Sequence, residues 1–551
     1  MPVPDLSITE FSAFATVLGF VVVLGFWAAR WRRPRDMHNL EEWGLGGRAF
    51  GNWVTWFLMG GDIYTAYTLV AVPALVYGVG AVGFFAVPFA VIATPLVYLM
   101  VTRAWSVAHV HGFVTPAEFV RARFGSRGLA GTVAVTGLVA TMPYVALQLV
   151  GLSVVFTTMG ITGDWPLVAA FTLLAACTFR SGLRAPALMS IVKDVLLLWT
   201  VLAAMLVVAM TPRGLANAFR SAADHFDQTP TVRDGLLLGS SGHLGYATLA
   251  LGSALAMFAY PHVLTGVLAA RNRATVQRNL SALPVYTIAL GLIALLGYVA
   301  LSKGVVPVDG DVNTVVPMLF RTVFPDWFAG VALAAIGVGA LVPASVMSIA
   351  AGNLYTRSIY REYVRPHATP AQEARVSRYA SLAVKLGAVA CILVLDPQFA
   401  VDLQLIGGVI VLQTVPAVGL GLFTAWFHRR ALLAGLVAGL VTGILLLYQI
   451  PQIGADDRTV VRAHFGGSSW PLSHLGLSTG ASVYVGLLAL GVNLVVAIAG
   501  TLLLRRRGVP TGPDLTRADD YIADEGDPTL HRMTELVDGD TAPPTHSRTA
   551  R

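Results

Sequence analysis

The sequence predicts an all-α, polytopic membrane protein, and three observations predict it. Apolar residues make up 56% of the 551 and charged residues 12%, with a mean hydropathy of +0.69. That is more apolar chain than a water-soluble core can bury. Apolar stretches long enough to cross a bilayer, for which about 20 residues suffice, recur along most of the chain. Two of these stretches carry helix breakers at mid-length, and the two lie five spans apart.

About thirteen spans can be placed, with ends good to a few residues. They run over 11–29, 52–77, 80–104, 129–158, 164–180, 186–211, 242–269, 280–302, 327–356, 377–396, 399–425, 431–450 and 478–504. The first is an extra N-terminal helix, 52–211 and 242–425 form two repeats, and 431–504 adds two C-terminal helices. Residues 1–505 thus read as one integral membrane domain. Residues 506–551, rich in Asp, Glu, Pro and Thr, read as a disordered cytoplasmic tail. An outside N-terminus puts roughly 24 Lys and Arg in inner loops against roughly 7 in outer ones, so the expected topology is N-out, C-in in a plasma membrane. Two outer stretches, 211–242 and 451–478, read as polar loops or lids.

The net charge of +7 needs no nucleic acid, because the arginines sit in short loops where topology explains them. Cys177 and Cys391 fall within apolar segments, which does not suggest a disulfide framework. Met1–Glu10 lacks the basic start of a cleavable signal. Gly44-x-Gly46-x-x-Ala49 imitates a dinucleotide fingerprint, but no strand precedes it and a span follows, so it reads as a turn. Thr115-Pro116-Ala117-Glu118 reads as an N-cap, a proline at N1 and a first-turn acid opening a short helix. His109 and His111, two apart in a loop, lack further ligands for a metal. No ATPase or other enzyme domain and no obligate protein partner is indicated. The expected partners are the bilayer and a small solute.

Chemistry concentrates at four polar or interrupted places. In 52–77, Gly60-Gly61 is followed at once by Asp62, with Ile63, Tyr64 and Thr65 next. A diglycine weakens a helix, and a carboxylate at that depth costs several kcal/mol or forces compensation. The reading is an interrupted helix whose free carbonyls and Asp62 can hold a cation; the alternative is a kink whose acid pairs with a neighbour. Lys193-Asp194 lies in the sixth span. Tyr260-Pro261-His262 interrupts the seventh, where proline deletes an amide donor. Pro343 interrupts the ninth, with Ser345 and Ser348 nearby. Two groups of five spans, each opened by a broken helix, form the pattern of an inverted-repeat secondary transporter.

The run EEWGLGGRAFGNWVTWFLMGGDIYTAYTLVAVPALVYGVG resembles the opening of the sodium:solute symporter family. HGFVTPAEFVRARFGS, SGLRAPALMSIVKDVLLL, AMFAYPHVLTGVLAARN and SIAAGNLYTRSIYREY are similar to related motifs of that family, in collinear order from Glu41 to about Tyr363. LVPASVMSIAAGNLYTRSIY, IVKD and YPHVLTG resemble most its monocarboxylate permease branch. The resemblance implies a LeuT-type five-plus-five fold with substrate near the midplane between core helices one, three, six, eight and ten. It implies symport of a short monocarboxylate such as lactate, pyruvate or propionate, driven by sodium or protons with no other cofactor. The alternatives are a sodium-coupled symporter for an amino acid or sugar, or a non-transporting sensor of the same fold.

Residue by residue, Asp62 falls on the family's acidic residue of core helix one and Asp194 on its aspartate of core helix five. The implied coupling site comprises Gly60, Asp62, Ile63, Lys193, Asp194, Ser345 and Ser348, with sodium near Gly60, Ile63 and Asp194. The implied substrate site comprises Gly61, Tyr64, Thr65, Tyr144, Gln148, Tyr260, Pro261 and His262. Tyr144 and Gln148 share one helix face, though interhelical packing explains them equally well, as it does Gln404 and Gln413. Two departures from the family occur together. Val342-Pro343 stands where an adjacent Ser-Thr pair usually supplies hydroxyls to sodium. Lys193 stands where Ser or Thr is common.

Of 37 basic residues only three are lysines, Lys193, Lys303 and Lys385. Lys193 is therefore expected either to stand in for sodium, as a lysine does in proton-coupled amino-acid transporters of this architecture, or to form a structural ion pair. Lys385 is expected to snorkel toward the interface.

Overall fold

The structure, a computed structural model of the chain, describes residues 5–31, 36–61, 64–161, 163, 165–211, 213–228, 235–395, 400–453, 459–477 and 479–530. Each expected span contains a helix, although 478–504 includes the strand Ser482–Tyr484 before its helix begins at Val485. Among the described residues nine helical stretches are long and apolar enough to cross a membrane. They become ten when Val401–Leu412 and Val415–Leu422, bent by 52°, count as one. Thirteen were expected, and the breaks account for much of the difference. The first broken helix begins with Asn52–Gly61, too short to span alone. Trp165–Ser181 has only 17 residues.

Residues 67–111 form one helical track where two spans were expected. The track turns at Gly80, with φ 77° and ψ −126°. A Cβ there would meet the Gly235 carbonyl oxygen at 2.1 Å, so the turn needs glycine both for its left-handed φ and for the close approach.

Asp326–Tyr355 and Arg127–Thr158 form the centre of the bundle and pack against each other. The Asp326–Val364 stretch buries 94% of its most apolar window. Arg184–Met210 packs on both Asn52–Gly61 and Asp326–Tyr355, which brings Lys193 and Asp194 to the first break. The last helices, Arg429–Tyr448 and Val485–Arg506, pack on each other through small residues. Asn493 there donates to the Gln413 carbonyl at 2.8 Å, and Gly439 is needed because a Cβ would sit 2.2 Å from the Gln413 side-chain oxygen. Gln413 is thus a packing residue.

The N-terminal helix Ile8–Trp27, capped by Ser7, is fastened by a buried two-point pair. Arg321 Nε lies 2.7 Å from Glu10 Oε1 and Nη2 donates to Glu10 Oε2 at 3.0 Å, while Nη1 donates to the Thr158 carbonyl. The two stretches read as loops hold regular structure. Gly214–Gln228 is a helix. Gln452–Ile453 pairs antiparallel with Val460–Arg462, and Ser469–Pro471 with Ser482–Tyr484 in the register Trp470 to Val483. Short β-ribbons therefore supplement the helices.

The expected disorder of 506–551 is corrected for its described part. Residues 512–530 lie as a strap across helix ends. Leu515 N–H donates to the Ala122 carbonyl at 3.0 Å and Leu530 N–H to the Val110 carbonyl at 2.7 Å. Tyr521 is buried at 3% exposure. The segment is poor in apolar residues, but it is held by charge pairs and backbone bonds that composition does not reveal. Residues 531–551 lie outside the described residues.

The other local readings can be placed directly. Thr115 and Glu118 form a capping box on the helix Pro116–Phe124. Gly46 and Gly47 adopt positive φ in a turn, and a Cβ on Gly44 would collide with Asn353. Cys177 and Cys391 are free.

Candidate functional site

The first break is closed around a lysine. Lys193 Nζ donates to the carbonyls of Gly61 and Tyr64, both at 2.6 Å, and lies 3.0 Å from Asp194 Oδ1. Both side chains of the pair are fully buried. A broken helix leaves carbonyls without an amide partner, and here an ammonium supplies the donors. Tyr286 completes the arrangement. Its hydroxyl donates to Asp194 Oδ2 at 2.9 Å, and its ring packs 4.7 Å from that of Tyr64 and 4.9 Å from that of Trp56.

The diglycine follows from this packing. A Cβ on Gly60 would fall 2.1 Å from Tyr286 Cζ, and one on Gly61 would fall 3.0 Å from Lys193 Nζ. Beyond the break the chain widens into a π-helical turn, Tyr67–Ala71, a distortion that recurs at functional sites. The lysine nitrogen is where a sodium ion bound to these carbonyls would have to be. With the ammonium 2.6 Å from both oxygens, sodium does not fit on them.

The second break is open. Gly242–Ala259 ends at Tyr260, and Pro261–Leu268 begins without a side-chain cap on its first turn. The first amides of a helix have no intrahelical acceptor, so His262 and Val263 N–H lack one. Both residues line a cavity with Tyr67, Tyr144, Tyr260 and Gln404. Tyr260 hydroxyl donates to the Gln404 carbonyl at 3.0 Å. The Tyr144 ring lies 5.2 Å from that of Tyr260 and 5.4 Å from that of His262. Three buried polar atoms of the cavity residues have no hydrogen-bond partner among the described residues: Tyr67 hydroxyl, His262 Nδ1 and Gln404 Oε1. Unpaired buried polar atoms cost about 1–3 kcal/mol each, and such groups are normally satisfied. Their convergence on one cavity is the mark of a ligand site.

The sequence-derived candidates divide between these two places. Gly60, Gly61, Lys193 and Asp194 come together at the first break. Gly61 lies with the coupling group rather than with the substrate group, because its carbonyl is taken by Lys193. Tyr144, Tyr260 and His262 come together at the cavity. Tyr64, expected at the substrate, instead donates to the Tyr286 carbonyl at 3.4 Å. Thr65 Oγ1 accepts the Tyr67 N–H at 3.0 Å. Gln148 accepts the Ala66 N–H at 3.1 Å and donates to the Tyr144 carbonyl at 3.3 Å, so it braces the broken helix. Pro261 starts its helix and packs beside Gly137.

Ser345 and Ser348 hydroxyls donate to the carbonyls of Leu341 and Ser345 in their own helix. Asp62 and Ile63 lie outside the described residues. Lys385 does not snorkel: it is 6% exposed, and its Nζ has no hydrogen-bond partner among the described residues. Nothing local in the sequence signals Tyr286, which reaches Asp194 across 92 positions. Tyr67 and Gln404 could have been found only as polar residues on the same broken or facing helices.

Comparison with known proteins bears on both places. The profile of the sodium:solute symporter family matches residues 43–443. The chain is 46% identical over 503 residues to a monocarboxylate transport permease protein of Rhizobium johnstonii, covering 91% of this chain and 98% of the relative. It is 33% identical over 451 residues to the uncharacterized symporter YodF of Bacillus subtilis, covering 80% and 89%. Its backbone is similar to a substrate-bound, outward-open Na+-coupled sialic acid symporter, with a TM-score of 0.71 and 15% identity over 91% of this chain and 98% of that one.

Proposed function

The chain belongs to the sodium:solute symporter family, and from that premise we propose that it imports short monocarboxylates across the plasma membrane, its N-terminus outside and its C-terminus cytoplasmic. The observation that carries this reading is the cavity at the second break. A carboxylate is met best by helix N-terminal amides and by hydrogen-bond donors rather than by another acid. The cavity offers the amides of His262 and Val263 with the Tyr67 hydroxyl, and among the described residues no Asp or Glu lines it. Phe89, Ala90, Ala93, Val97, Leu283 and Leu290 give it an apolar side, as the methyl end of a propionate or lactate requires. The identity to the Rhizobium johnstonii permease supports the same substrate class.

The first break supports a reading of the coupling ion that departs from the family's sodium. Lys193 holds the two carbonyls and the carboxylate that would otherwise attract a cation, and Val342-Pro343 offers no side-chain oxygen. Transport is therefore proton-coupled or only weakly sodium-dependent. Asp62, next to Gly61 in sequence, is the further acid assigned to coupling.

The test is uptake of labelled lactate, pyruvate and propionate into proteoliposomes at fixed pH, with sodium exchanged for choline, and then across a pH series. Uptake that persists in choline and is driven by an inward proton gradient is expected. Competition by glucose or galactose without competition by short acids would refute the substrate class. A steep sodium requirement would refute the role given to Lys193.

A further inference from the structure

The two histidines at the end of Ala86–His111, left unassigned by the transport chemistry, hold the C-terminal strap. His111 Nε2 lies 2.8 Å from Asp520 Oδ2, and His109 Nε2 lies 3.0 Å from the Asp527 carbonyl oxygen. Ser106 hydroxyl donates to the Ala523 carbonyl at 2.7 Å. On the segment that follows the second broken helix, Arg273 donates its amide to Asp524 at 3.0 Å and its Nη1 to the Ile522 carbonyl at 2.9 Å, and Asn272 donates to Glu525 at 3.0 Å. The strap is fastened a third time to Pro116–Phe124, where Arg123 donates to Asp514 at 2.7 Å. Tyr521 sits at the centre. The guanidinium groups of Arg103 and Arg123 lie 4.9 and 5.5 Å from its ring, and Phe119 meets its edge.

Beside these contacts is an apolar cleft lined by Val107, Phe113, Phe119, Leu264, Leu268 and Leu422, with Phe119 shared between the cleft and the Tyr521 contact. Two helices line both this cleft and the central cavity. Ala86–His111 gives Phe89 to Val97 to the cavity and Ala104 to Ala108 to the cleft. Pro261–Leu268 gives His262 and Val263 to the cavity and Leu264 and Leu268 to the cleft. On Ala86–His111 the cleft and the strap contacts thus share the end that lies beyond the cavity. The helices that follow the two breaks carry one set of fastenings, and Pro116–Phe124 carries the other. Alternating access rocks such groups of helices against one another about a central site, so a strap tied to both resists the motion.

We propose that residues 512–530 form a latch over the apolar cleft, which must release before the central cavity opens toward the C-terminal face. The latch rests on the transport reading only for its consequence, since its closure of the cleft can be measured without a substrate. Its acidic side chains meet basic helix ends, so its hold weakens as salt screens them.

The test uses Leu268→Cys in a Cys177→Ser/Cys391→Ser background, reacted with a membrane-impermeant maleimide applied to the C-terminal face. Deletion of residues 509–551 is expected to raise the labelling rate about tenfold. So is the full-length variant Asp520→Asn/Tyr521→Ala/Asp524→Asn, which keeps the chain if the deletion fails to fold. Labelling should also accelerate in high salt with the strap intact and should not with the strap removed. In the same cysteine-free background without Leu268→Cys, a disulfide between Ser106→Cys and Ala523→Cys should stop uptake of a transported acid, and reductant should restore it. Equal labelling rates with the strap intact, unfastened and absent would overturn the latch. So would a cross-linked strap that leaves uptake unchanged. If no short acid is transported at all, the substrate reading fails while the labelling arms still decide the latch.

Discussion

The two broken helices solve the same problem in opposite ways. Each interrupts a membrane helix and leaves backbone groups without partners, which is costly where water is absent. At the first break, carbonyls are freed and a neighbouring helix supplies the donor, Lys193, with Asp194 balancing its charge and Tyr286 bonding the carboxylate. At the second, amides are freed, and Tyr67, His262 and Gln404 around them also keep unpaired atoms. The first break is completed by the protein. The second is not completed by any described residue, and this contrast is what supports the proposal of coupling at the closed break and substrate recognition at the open one.

The comparison breaks most severely at the lysine. Lys193→Met leaves Asp194 buried without its partner and two carbonyls without donors. Breaking a buried pair in this way costs about 3–5 kcal/mol, which should appear as a markedly lower melting temperature in detergent and an uptake rate reduced at least tenfold. Lys193→Met/Asp194→Leu should recover much of the stability, because apolar replacement of both partners is often neutral. It should recover none of the proton coupling. A single mutant as stable as wild type would show that the first break is not closed by this pair.

Gly60→Ala comes next. Its new Cβ would sit 2.1 Å from Tyr286 Cζ, and overpacking of this kind costs about 1–3 kcal/mol. The ring must move, which withdraws its hydroxyl from Asp194. Adding Tyr286→Leu should relieve the clash and restore melting temperature without restoring wild-type pH dependence of uptake. No loss of stability on Gly60→Ala would mean that the glycine serves flexibility rather than the close approach of Tyr286.

How much of this was legible in the sequence follows from the same contrast. Breakers announce themselves, so Gly60-Gly61 and Pro261 marked both interruptions. The rarity of lysine singled out Lys193. Partners distant in sequence did not announce themselves: nothing local connects Tyr286 to Asp194 or to the bare Cα of Gly60. Gln148 was grouped with Tyr144 because one turn separates them, yet its amide turns to the Ala66 N–H of the broken helix. Helical spacing specifies a shared face and not the atom a side chain will find. The tail misled for a related reason. Its order comes from pairing acids with basic helix ends and from one buried tyrosine, a pattern that composition averages away.

At the open break, Tyr67→Phe removes an unpaired hydroxyl and leaves the ring. Folding should change by no more than about 0.5 kcal/mol, the usual scale where no native contact is lost. Half-saturation for a short acid should rise about tenfold, the value of one hydrogen bond near 1.4 kcal/mol. Uptake kinetics and a melt on the same preparation separate the two effects. A fall in stability with unchanged half-saturation would reverse the assignment and make Tyr67 a packing residue.

The smallest effect is expected at the third lysine, and it sharpens the meaning of the first. Lys385 is buried like Lys193, but among the described residues its Nζ has neither a hydrogen-bond partner nor an ion pair. Methionine copies most of its length and volume, so Lys385→Met exchanges an unsatisfied polar end for an apolar one and leaves the packing nearly intact. Removal of an unsatisfied buried group should leave stability unchanged or raise it by about 1 kcal/mol, with uptake within twofold of wild type. The identical substitution at Lys193 is expected to be severely damaging. The two mutants compared in one melt and one uptake series therefore isolate the partners, since residue type and depth of burial are nearly shared. If both lose stability alike, burial of any lysine in this bundle is structural, and the carbonyls of Gly61 and Tyr64 lose their claim to a special cation.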